Sequence, residues 1–574
     1  MDILSKYRKI LINGLKKDYP DNNFENISFE FPRDRSHGDF STNAGMVLSK
    51  KYNLDLKIIF NNVTKIFSKS HDFTNIEIAK SGFINFSVKD NILYELLSSI
   101  IKEEEKFGKT NIGRNQKVNV EYVSANPTGP LHVGHTRGAV FGDTLSNLLS
   151  FVGYDVCREY YINDSGEQIT KLAKSVYIRY LQSLGETKEE IQEGFYPGEY
   201  LIELGKILKN KFGSKFKDSS EDVWLELFKK ESIDYVMDLI RKDLNSLNIK
   251  HNVFTSEKNL LNDNKVDKTF NILKGKNLLY EGITAPPKGS NKDEWSKVKH
   301  TLFKSKEFGD DEDRVVKKHN GEWTYFMPDI AYHLDKYERG YEKIINIFGA
   351  DHSGYINRMK AAVKAISDSK ADFEIKTCQL VRLSRSGKPI KMSKRSGSFI
   401  TLSELVDEVG SDAVRFMMVS RKNDAQLDFD FEVFKSENND NPIFYIQYAH
   451  ARISSLINNA SEKLDIKEID ESTSDLNLLK NINERNIIML LANYPKIVEQ
   501  AALFMEPHRI SFYLRDLSSA FHQYWNLKID NKRLIILDKG NIDLSLSRIT
   551  LLKCVAITIR SGLAILGIKA LKEL

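Results

Sequence analysis

Glu121-Tyr-Val-Ser-Ala-Asn-Pro-Thr-Gly-Pro-Leu-His-Val-Gly-His135 is the stretch on which the reading of the chain turns. Alternation from Lys117 to Val123 predicts a strand, and Asn126 to Pro130 breaks it. Val140, Phe141, Leu145, Leu148 and Leu149 then recur at helical spacing, so a helix is expected to begin close to His132. Gly153 to Tyr160 reads as a second strand, which completes a βαβ unit. A tight turn entering a helix N-terminus presents amide N–H groups and the positive end of the helix dipole, an arrangement that favours phosphate. His132 and His135 stand three apart and share one face of a helical turn. Gly134 between them allows close approach to the backbone. The plainer reading is that both rings only cap the helix, and these four residues alone do not decide between the two.

Outward from this unit, strand and helix patterns alternate from about residue 115, as in a parallel sheet covered by helices. The section from about 165 to 322 interrupts the alternation. It is largely helical and highly charged, as in Tyr200 to Lys211 and Glu221 to Leu247, and reads as an insertion. The pattern resumes with an expected strand, Trp323 to Asp329, and a helix, Ile330 to Arg339. An apolar strand, Lys343 to Phe348, enters Gly349-Ala-Asp-His-Ser-Gly-Tyr355; another, Gln379 to Leu383, enters a Gly/Ser/Lys/Arg loop, Ser384 to Ser398. Thr401 or Ser403 is expected to cap the helix after it. Ligands of open parallel sheets bind beyond the carboxyl ends of the strands. The loops 124–135, 349–355 and 384–398 are therefore expected to converge on one crevice. Lys391-Met-Ser-Lys-Arg395 places three cations and a hydroxyl on the last loop, suited to charge on a triphosphate. A solvated basic loop, or one on a nucleic-acid backbone, is the rival use of such a run.

Residues 1–110 read as an α+β unit with a helix at Ala44 to Tyr52 and a strand at Gly82 to Val88. Phe83 and Phe86 on that strand could stack on bases, though the core is the expected place for Phe86. Residues 436–574 show helical spacing without a strand pattern, as in a helical bundle. A length of 574 residues suggests three or four domains. No apolar run reaches the length of a bilayer span by inspection, and the N-terminus reads as an amphipathic helix rather than a presequence. Cys157, Cys378 and Cys554 are too few and too far apart for a zinc site or a disulfide framework, which fits a reducing cytoplasm. With 84 Lys and Arg against 79 Asp and Glu, the net charge of +5 permits a nucleic-acid partner without requiring one.

Several motifs in order resemble a known family. His132-Val-Gly-His135 and Lys391-Met-Ser-Lys-Arg395 resemble the two signatures of class I aminoacyl-tRNA synthetases. Within that class the chain resembles arginyl-tRNA synthetases. The residues that carry this are His37-Gly-Asp-Phe-x-Thr-Asn43, Glu121-x-x-Ser124-x-Asn126, Tyr325-x-x-x-Asp329, Gly349-Ala-Asp-His352 and Asn441-Pro-x-x-Tyr-x-Gln-Tyr-Ala-His-Ala-Arg452. Some family members lack the second signature and carry a lysine just before the first histidine; here Gly129 stands at that position and the Lys391 loop is intact. The resemblance implies a Rossmann-like parallel-sheet catalytic domain at 111–435 with its helical insertion. It also implies an N-terminal α+β domain at 1–110 that touches tRNA and a C-terminal all-α anticodon-binding bundle at 436–574. It implies a ligase that uses ATP, with Mg2+, to convert arginine to arginyl-adenylate and passes the arginyl group to the 3′ end of tRNA(Arg). No protein-ligated metal and no membrane partner are expected, and the enzyme is expected to be a cytoplasmic monomer.

The same resemblance assigns residues. His132, His135, Lys391 and Lys394 are the expected catalytic groups. Glu121, Ser124, Asn126, Tyr325 and Asp329 are expected to hold arginine, with Tyr325 and Asp329 at the guanidinium. His132, Gly134, His135, Gly349, Asp351, His352, Lys391, Met392, Ser393 and Lys394 are expected to line the ATP site. His37, Tyr445, Tyr448 and Arg452 are the expected tRNA contacts, with His450 also a candidate. Two of these have plain rivals: Glu121 as an edge-strand surface charge, and Asp329 as the N-cap of the helix that follows. A synthetase for cysteine would need zinc ligands that the chain lacks, and a small-molecule nucleotidyltransferase would leave both terminal units without a purpose. A non-catalytic RNA-binding relative would not be expected to carry both signatures intact.

Overall fold

The computed structural model describes residues 1–574 apart from 1, 21–22, 33, 188–189, 284–297, 391–399, 467–473 and 530–531. The chain forms two compact units, 111–435 and a second made of 1–110 with 436–574.

The first unit is built on a parallel sheet of β1 (Lys117–Glu121), β2 (Asp155–Ile162), β3 (Val253–Ser256), β4 (Lys343–Gly349) and β5 (Asp372–Cys378), in spatial order β5-β4-β1-β2-β3. Four consecutive residues of central β1, Val118 to Glu121, are buried, as expected of a strand covered on both faces. Helix α1 (Val133–Phe151) follows β1. It packs so closely that a Cβ on Gly142 would come within 2.3 Å of the Tyr122 ring, so only glycine fits there.

Four departures from the sequence reading bear on the site. Trp323 to Asp329 is not a strand: helix α2 (Phe326–Glu338) already begins at Phe326. Pro328 sits in its first turn, where a missing N–H costs nothing, so the aromatic run that suggested a strand enters the helix instead. The stretch 165–322 is helical over much of its length but also returns to the sheet through β3, and it contributes a separate antiparallel sheet of Leu279–Gly282, His300–Phe303 and Arg314–Lys317. β5, whose charged alternation hid it, is the far strand of the main sheet. Finally, β6 (Val381–Arg385) lies outside the main sheet, pairing in parallel with β7 (Leu427–Asp430) and antiparallel with Lys388–Pro389. The loop expected to carry Lys391 thus leaves a second, smaller sheet.

In the other unit, four antiparallel strands, Phe29–Glu30, Phe40–Thr42, Ile84–Val88 and Phe73–Ile78, pack on helices Ile3–Asp18 and Leu56–Phe67. Phe86 is fully buried among Phe29, Phe67 and Phe73, at ring separations of 5.1, 5.2 and 5.0 Å, so it belongs to the core and not to an RNA-stacking face. Helices Pro442–Asn458, Ile482–Phe504, His508–Trp525 and Ile542–Ile565 form the bundle, accompanied by a short hairpin of Lys528–Ile529 with Lys532–Arg533. Ile482–Phe504 is long and apolar enough to cross a membrane. Its buried Glu484, however, pairs with Arg548 at 3.0 Å and accepts from the Tyr524 hydroxyl at 2.8 Å, an arrangement of a packed bundle core. Within this unit Arg485 donates to Asp39 at 2.7 Å and also pairs with Asp90, joining the bundle to the N-terminal sheet.

Phe86→Ala is expected to destabilise the N-terminal sheet by about 3–5 kcal/mol through the cavity it leaves. Thermal unfolding of the purified variant, followed by near-ultraviolet circular dichroism, checks this; an unchanged transition would return Phe86 to the surface.

Candidate active site

The carboxyl ends of β1 and β4 are adjacent and parallel, so the chain leaves both toward the same edge of the sheet. Past Glu121 the backbone turns sharply. Val123 and Ser124 take φ of 72° and 39°, a left-handed conformation that a β-branched residue seldom adopts. Strain of this kind persists only where surrounding bonds hold it. Here Ser124 Oγ donates to Glu121 Oε1 at 3.0 Å and accepts from the Tyr161 amide at 3.1 Å, and the Tyr160 hydroxyl donates to the Ala125 carbonyl at 2.7 Å. Asn126 Nδ2 donates to Gln168 at 2.9 Å.

Glu121 is 7% exposed on a central strand, which excludes the edge-strand surface charge. Its Oε2 pairs with Lys336 Nζ at 2.5 Å. Lys336, fully buried on α2, also donates to Asn346 Oδ1 at 3.2 Å and lies 4.2 Å above the Tyr332 ring. The chain of bonds continues: Asn346 Nδ2 meets His333 Nε2 at 2.9 Å, and His333 Nδ1 meets the Asp329 carbonyl at 2.8 Å. Burial, with the Lys336 charge nearby, pushes His333 down to about 3, so the ring is neutral and donates from Nδ1 while accepting at Nε2. One continuous path thus links Glu121 to the backbone at Asp329.

Asp329 is not the N-cap of α2, which is Tyr325. Its carboxylate lies a turn into the helix and accepts from the Tyr355 hydroxyl. Burial pushes Asp329 up to about 7; the Tyr355 bond opposes this, and the charges of Glu257 and Glu121 reinforce it. Glu257, itself buried, accepts from the Tyr161 hydroxyl at 2.9 Å and from Ser165. The Tyr161 ring stacks on Tyr332 at 4.5 Å. Three carboxylates and three tyrosines are therefore gathered here, linked by these bonds and by the charges of Glu257 and Glu121 acting on Asp329. Tyr325, the N-cap residue of α2, is 73% exposed.

At the start of α1, the His132 and His135 rings stack at 3.9 Å. His132 Nδ1 accepts from the Gly134 amide at 3.1 Å, and His135 Nδ1 accepts from the His132 amide at 3.4 Å. The capping reading is thus correct as far as it goes, and these bonds also fix both ring planes. A Cβ on Gly134 would lie 2.8 Å from the His132 ring, so the glycine is required by the stack. Asp243, from helix Glu221–Ser246, accepts the Leu131 amide at 2.9 Å; burial, opposed by that amide, pushes it up to about 6. Gly349 opens a short 3-10 turn that carries Asp351 and His352, both exposed and 3.6 Å apart. Lys391, Met392, Ser393 and Lys394 lie outside the described residues. The chain after them is bonded to the start of α1: His132 bridges Thr401, Val133 N donates to Ile400 O at 3.2 Å, and Leu402 N donates to Leu131 O at 2.9 Å. Thr401, not Ser403, caps the next helix, in a reciprocal arrangement with Glu404. The residues that follow the third loop thus meet the end of the first through this backbone bridge rather than through a shared sheet.

The expected tRNA contacts lie in the other unit. His37 is exposed in a short 3-10 turn. Arg452 stacks over Tyr448 at 4.2 Å and Trp525 at 5.0 Å, and the Tyr445 ring lies 4.3 Å from His522. His450 is buried and bonds the Leu571 carbonyl at 2.7 Å, so it is a core residue.

A family model described as "tRNA synthetases class I (R), catalytic domain" matches residues 96–431. "Arginyl tRNA synthetase N terminal domain" matches 5–88, and "DALR anticodon binding domain" matches 446–574. Arginine–tRNA ligase from Parvibaculum lavamentivorans is 48% identical over 550 residues, covering 96% of this chain and 94% of that protein. The chain belongs to the arginyl-tRNA synthetase family. The arginine–tRNA ligase of Ruegeria pomeroyi is 44% identical over 581 residues and covered in full by both chains. The Thermus thermophilus arginyl-tRNA synthetase structure superposes over the whole of both chains with a TM-score of 0.74 at 18% identity, a likeness of fold.

For an arginyl-tRNA synthetase, the sequence reading overlooked Lys336, Glu257, Tyr161 and Tyr355. Lys336 had a signal, a cation at helical spacing from the apolar and aromatic residues Ala331, Tyr332 and His333. Glu257 follows β3 directly, but β3 lies within the stretch taken for an insertion. Lys336→Met is expected to lower stability by about 3–5 kcal/mol, because it leaves Glu121 buried without its cation. Adding Glu121→Gln should recover much of that loss. Thermal melts of the wild type, both single variants and the double variant measure the coupling, and additive losses would show that the pair is not coupled.

Proposed function

We propose that the cleft at the carboxyl ends of β1 and β4 performs the reaction of the family. Arginine and ATP give arginyl-adenylate and pyrophosphate, and the arginyl group then passes to the 3′ end of tRNA(Arg), as translation requires. The observation that carries this reading is the gathering of Glu121, Glu257 and Asp329 with Tyr161, Tyr332 and Tyr355. A guanidinium presents five donors in a rigid plane and is matched by carboxylate and hydroxyl acceptors. We assign Asp329 and Tyr325 to the guanidinium, and Glu121, Ser124 and Asn126 to the remainder of arginine.

In the first step the arginine carboxylate oxygen attacks the α-phosphorus of ATP and the bond to pyrophosphate breaks. In the second, the terminal ribose hydroxyl of tRNA attacks the arginyl carbonyl and AMP leaves. Neither step needs a covalent enzyme intermediate, so positioning and charge stabilisation do the work. His132, Gly134 and His135, with Gly349, Asp351 and His352, are assigned to ATP. Lys391 and Lys394, with Met392 and Ser393, are assigned to the charge that builds on pyrophosphate. We assign Mg2+ to the triphosphate, arriving with it as part of the substrate. Residues 111–435 are the catalytic domain in this reading, 1–110 contacts tRNA through His37, and 436–574 reads the anticodon through Tyr445, Tyr448 and Arg452. The enzyme acts as a cytoplasmic monomer.

The direct test is ATP–pyrophosphate exchange across the twenty amino acids, with and without total tRNA. Exchange is expected with arginine and to depend on tRNA; exchange with another amino acid and none with arginine would overturn the specificity. Asp329 adds a pH signature. Its carboxyl sits near 7 without substrate, and a bound guanidinium favours the charged form, so bound Asp329 has the lower value. Linkage then strengthens binding as pH rises through about 7 and weakens it as pH falls. The KM for arginine is expected to fall between about pH 6 and pH 8 in the wild type. Asp329→Asn should raise KM throughout and flatten that dependence; a profile identical to the wild type would remove Asp329 from the pocket.

A further inference from the structure

Arg137 lies two residues beyond His135 on α1 and is 1% exposed. Among the described residues no carboxylate hydrogen-bonds to it. Its Nη1 donates to the Gln379 carbonyl at 2.9 Å and the Ala425 carbonyl at 2.7 Å, and its Nη2 to the Lys422 carbonyl at 2.9 Å. Burying a cation is costly, and an apolar side chain of similar volume would fill the same space at less cost. What only a guanidinium supplies is a planar fork that reaches three carbonyls at once.

The three acceptors belong to two separate turns. Gln379 precedes β6, and Lys422 and Ala425 precede β7. The turns are already tied to each other, since the Gln379 amide donates to the Asn423 carbonyl at 2.9 Å and Asn423 Nδ2 to the Thr377 carbonyl at 2.8 Å. Arg137 adds the bond to α1. From there β6 and β7 run side by side to Asp430, whose carboxylate accepts from the Gly387 amide at 2.6 Å, the Ser386 amide at 3.2 Å and Ser384 Oγ at 3.1 Å. The chain then passes through Ile390 into 391–399. On the far side, Ile400 and Leu402 are bonded to Val133 and Leu131. Both flanks of the second signature are therefore referred to the same helix, the entry flank through Arg137 and the exit flank through the backbone bridge.

We propose that Arg137 is a positioning residue for arginine activation, holding the β6–β7 pair, and with it the entry to the second signature, in place relative to His132 and His135. The proposal rests on the activation site described above. It requires an effect on the chemical step that is separate from arginine binding, because none of the side-chain bonds around Glu121, Ser124 or Asp329 involves Arg137 or its three acceptors.

The experiment compares wild type, Arg137→Lys and Arg137→Gln in arginine-dependent ATP–pyrophosphate exchange with total tRNA present. Active sites are counted by the burst of adenylate formed, and melting temperature is recorded alongside. Loosening of the β6–β7 pair is expected to lower kcat per counted site by about 100-fold in Arg137→Gln. The KM for arginine should stay within about twofold of the wild type. Arg137→Lys keeps the charge and a single bond, so it should fold even if the glutamine variant does not, and should lose about tenfold. A purely structural role would lower melting temperature and the number of counted sites but leave kcat per site unchanged, and that result in Arg137→Lys overturns the proposal. So would a rise in the KM for arginine equal to the loss in kcat. A wild type without arginine-dependent exchange would instead refute the activation site itself, whatever the variants do.

Discussion

The pairing of Glu121 with Lys336 is the contact on which the arrangement of the site depends. Both groups are buried, so neither can be left without the other at tolerable cost. Lys336 fixes the rotation of α2 against the sheet, and α2 carries Asp329. Through Asn346 and His333 the same lysine is connected to the backbone at Asp329 itself. The two carboxylates assigned to opposite ends of arginine are thus set by one hydrogen-bonded path, and each link leaves little freedom to the next. A fully satisfied buried network of this kind rigidifies a pocket more than its separate bonds would.

A second group of constraints fixes the phosphate side. The left-handed turn at Val123 and Ser124 directs the chain out of β1, and Asp243 takes up the Leu131 amide just before the histidines. The histidine rings then serve as their own helix cap, so capping and function are not rivals at these positions. The bridge to Ile400–Leu402 and the fork of Arg137 secure the strands on either side of the second signature to the same helix. Strain at the turn, burial of charge and committed backbone bonds all lie within a few residues of the proposed reacting centre, as expected where geometry rather than covalent chemistry drives a reaction.

Much of this was legible in residue pattern. The βαβ unit around His132 follows from periodicity and from Pro and Gly placement, and the motif order pointed to the family. The errors have specific causes. Trp323 to Asp329 has strand-forming aromatics, but its proline suits a first helical turn equally well, and tertiary packing chose the helix. β5 alternates with charged residues because it is the far strand of its sheet. β3 is four residues long within a charged helical stretch, too short for periodicity to register. With β3 went Glu257, and with α2 misplaced by several residues went the inward direction of Lys336.

The sequence by itself determined which segments form strand, turn and helix near the signatures, because those follow from local periodicity, turn chemistry and the positions of glycine and proline. It also determined the family, through several motifs in a fixed order. Only the tertiary structure decided which charges are buried together. Pairing Glu121 with Lys336 spans 215 residues, and joining Arg137 to Ala425 spans 288. No local pattern encodes such a partner, since a buried charge and a solvated one look alike in sequence. The elevated Asp329, the neutral His333 and the separate sheet that leads into the second signature have the same source: each depends on what packs around a residue, which only the closed chain supplies.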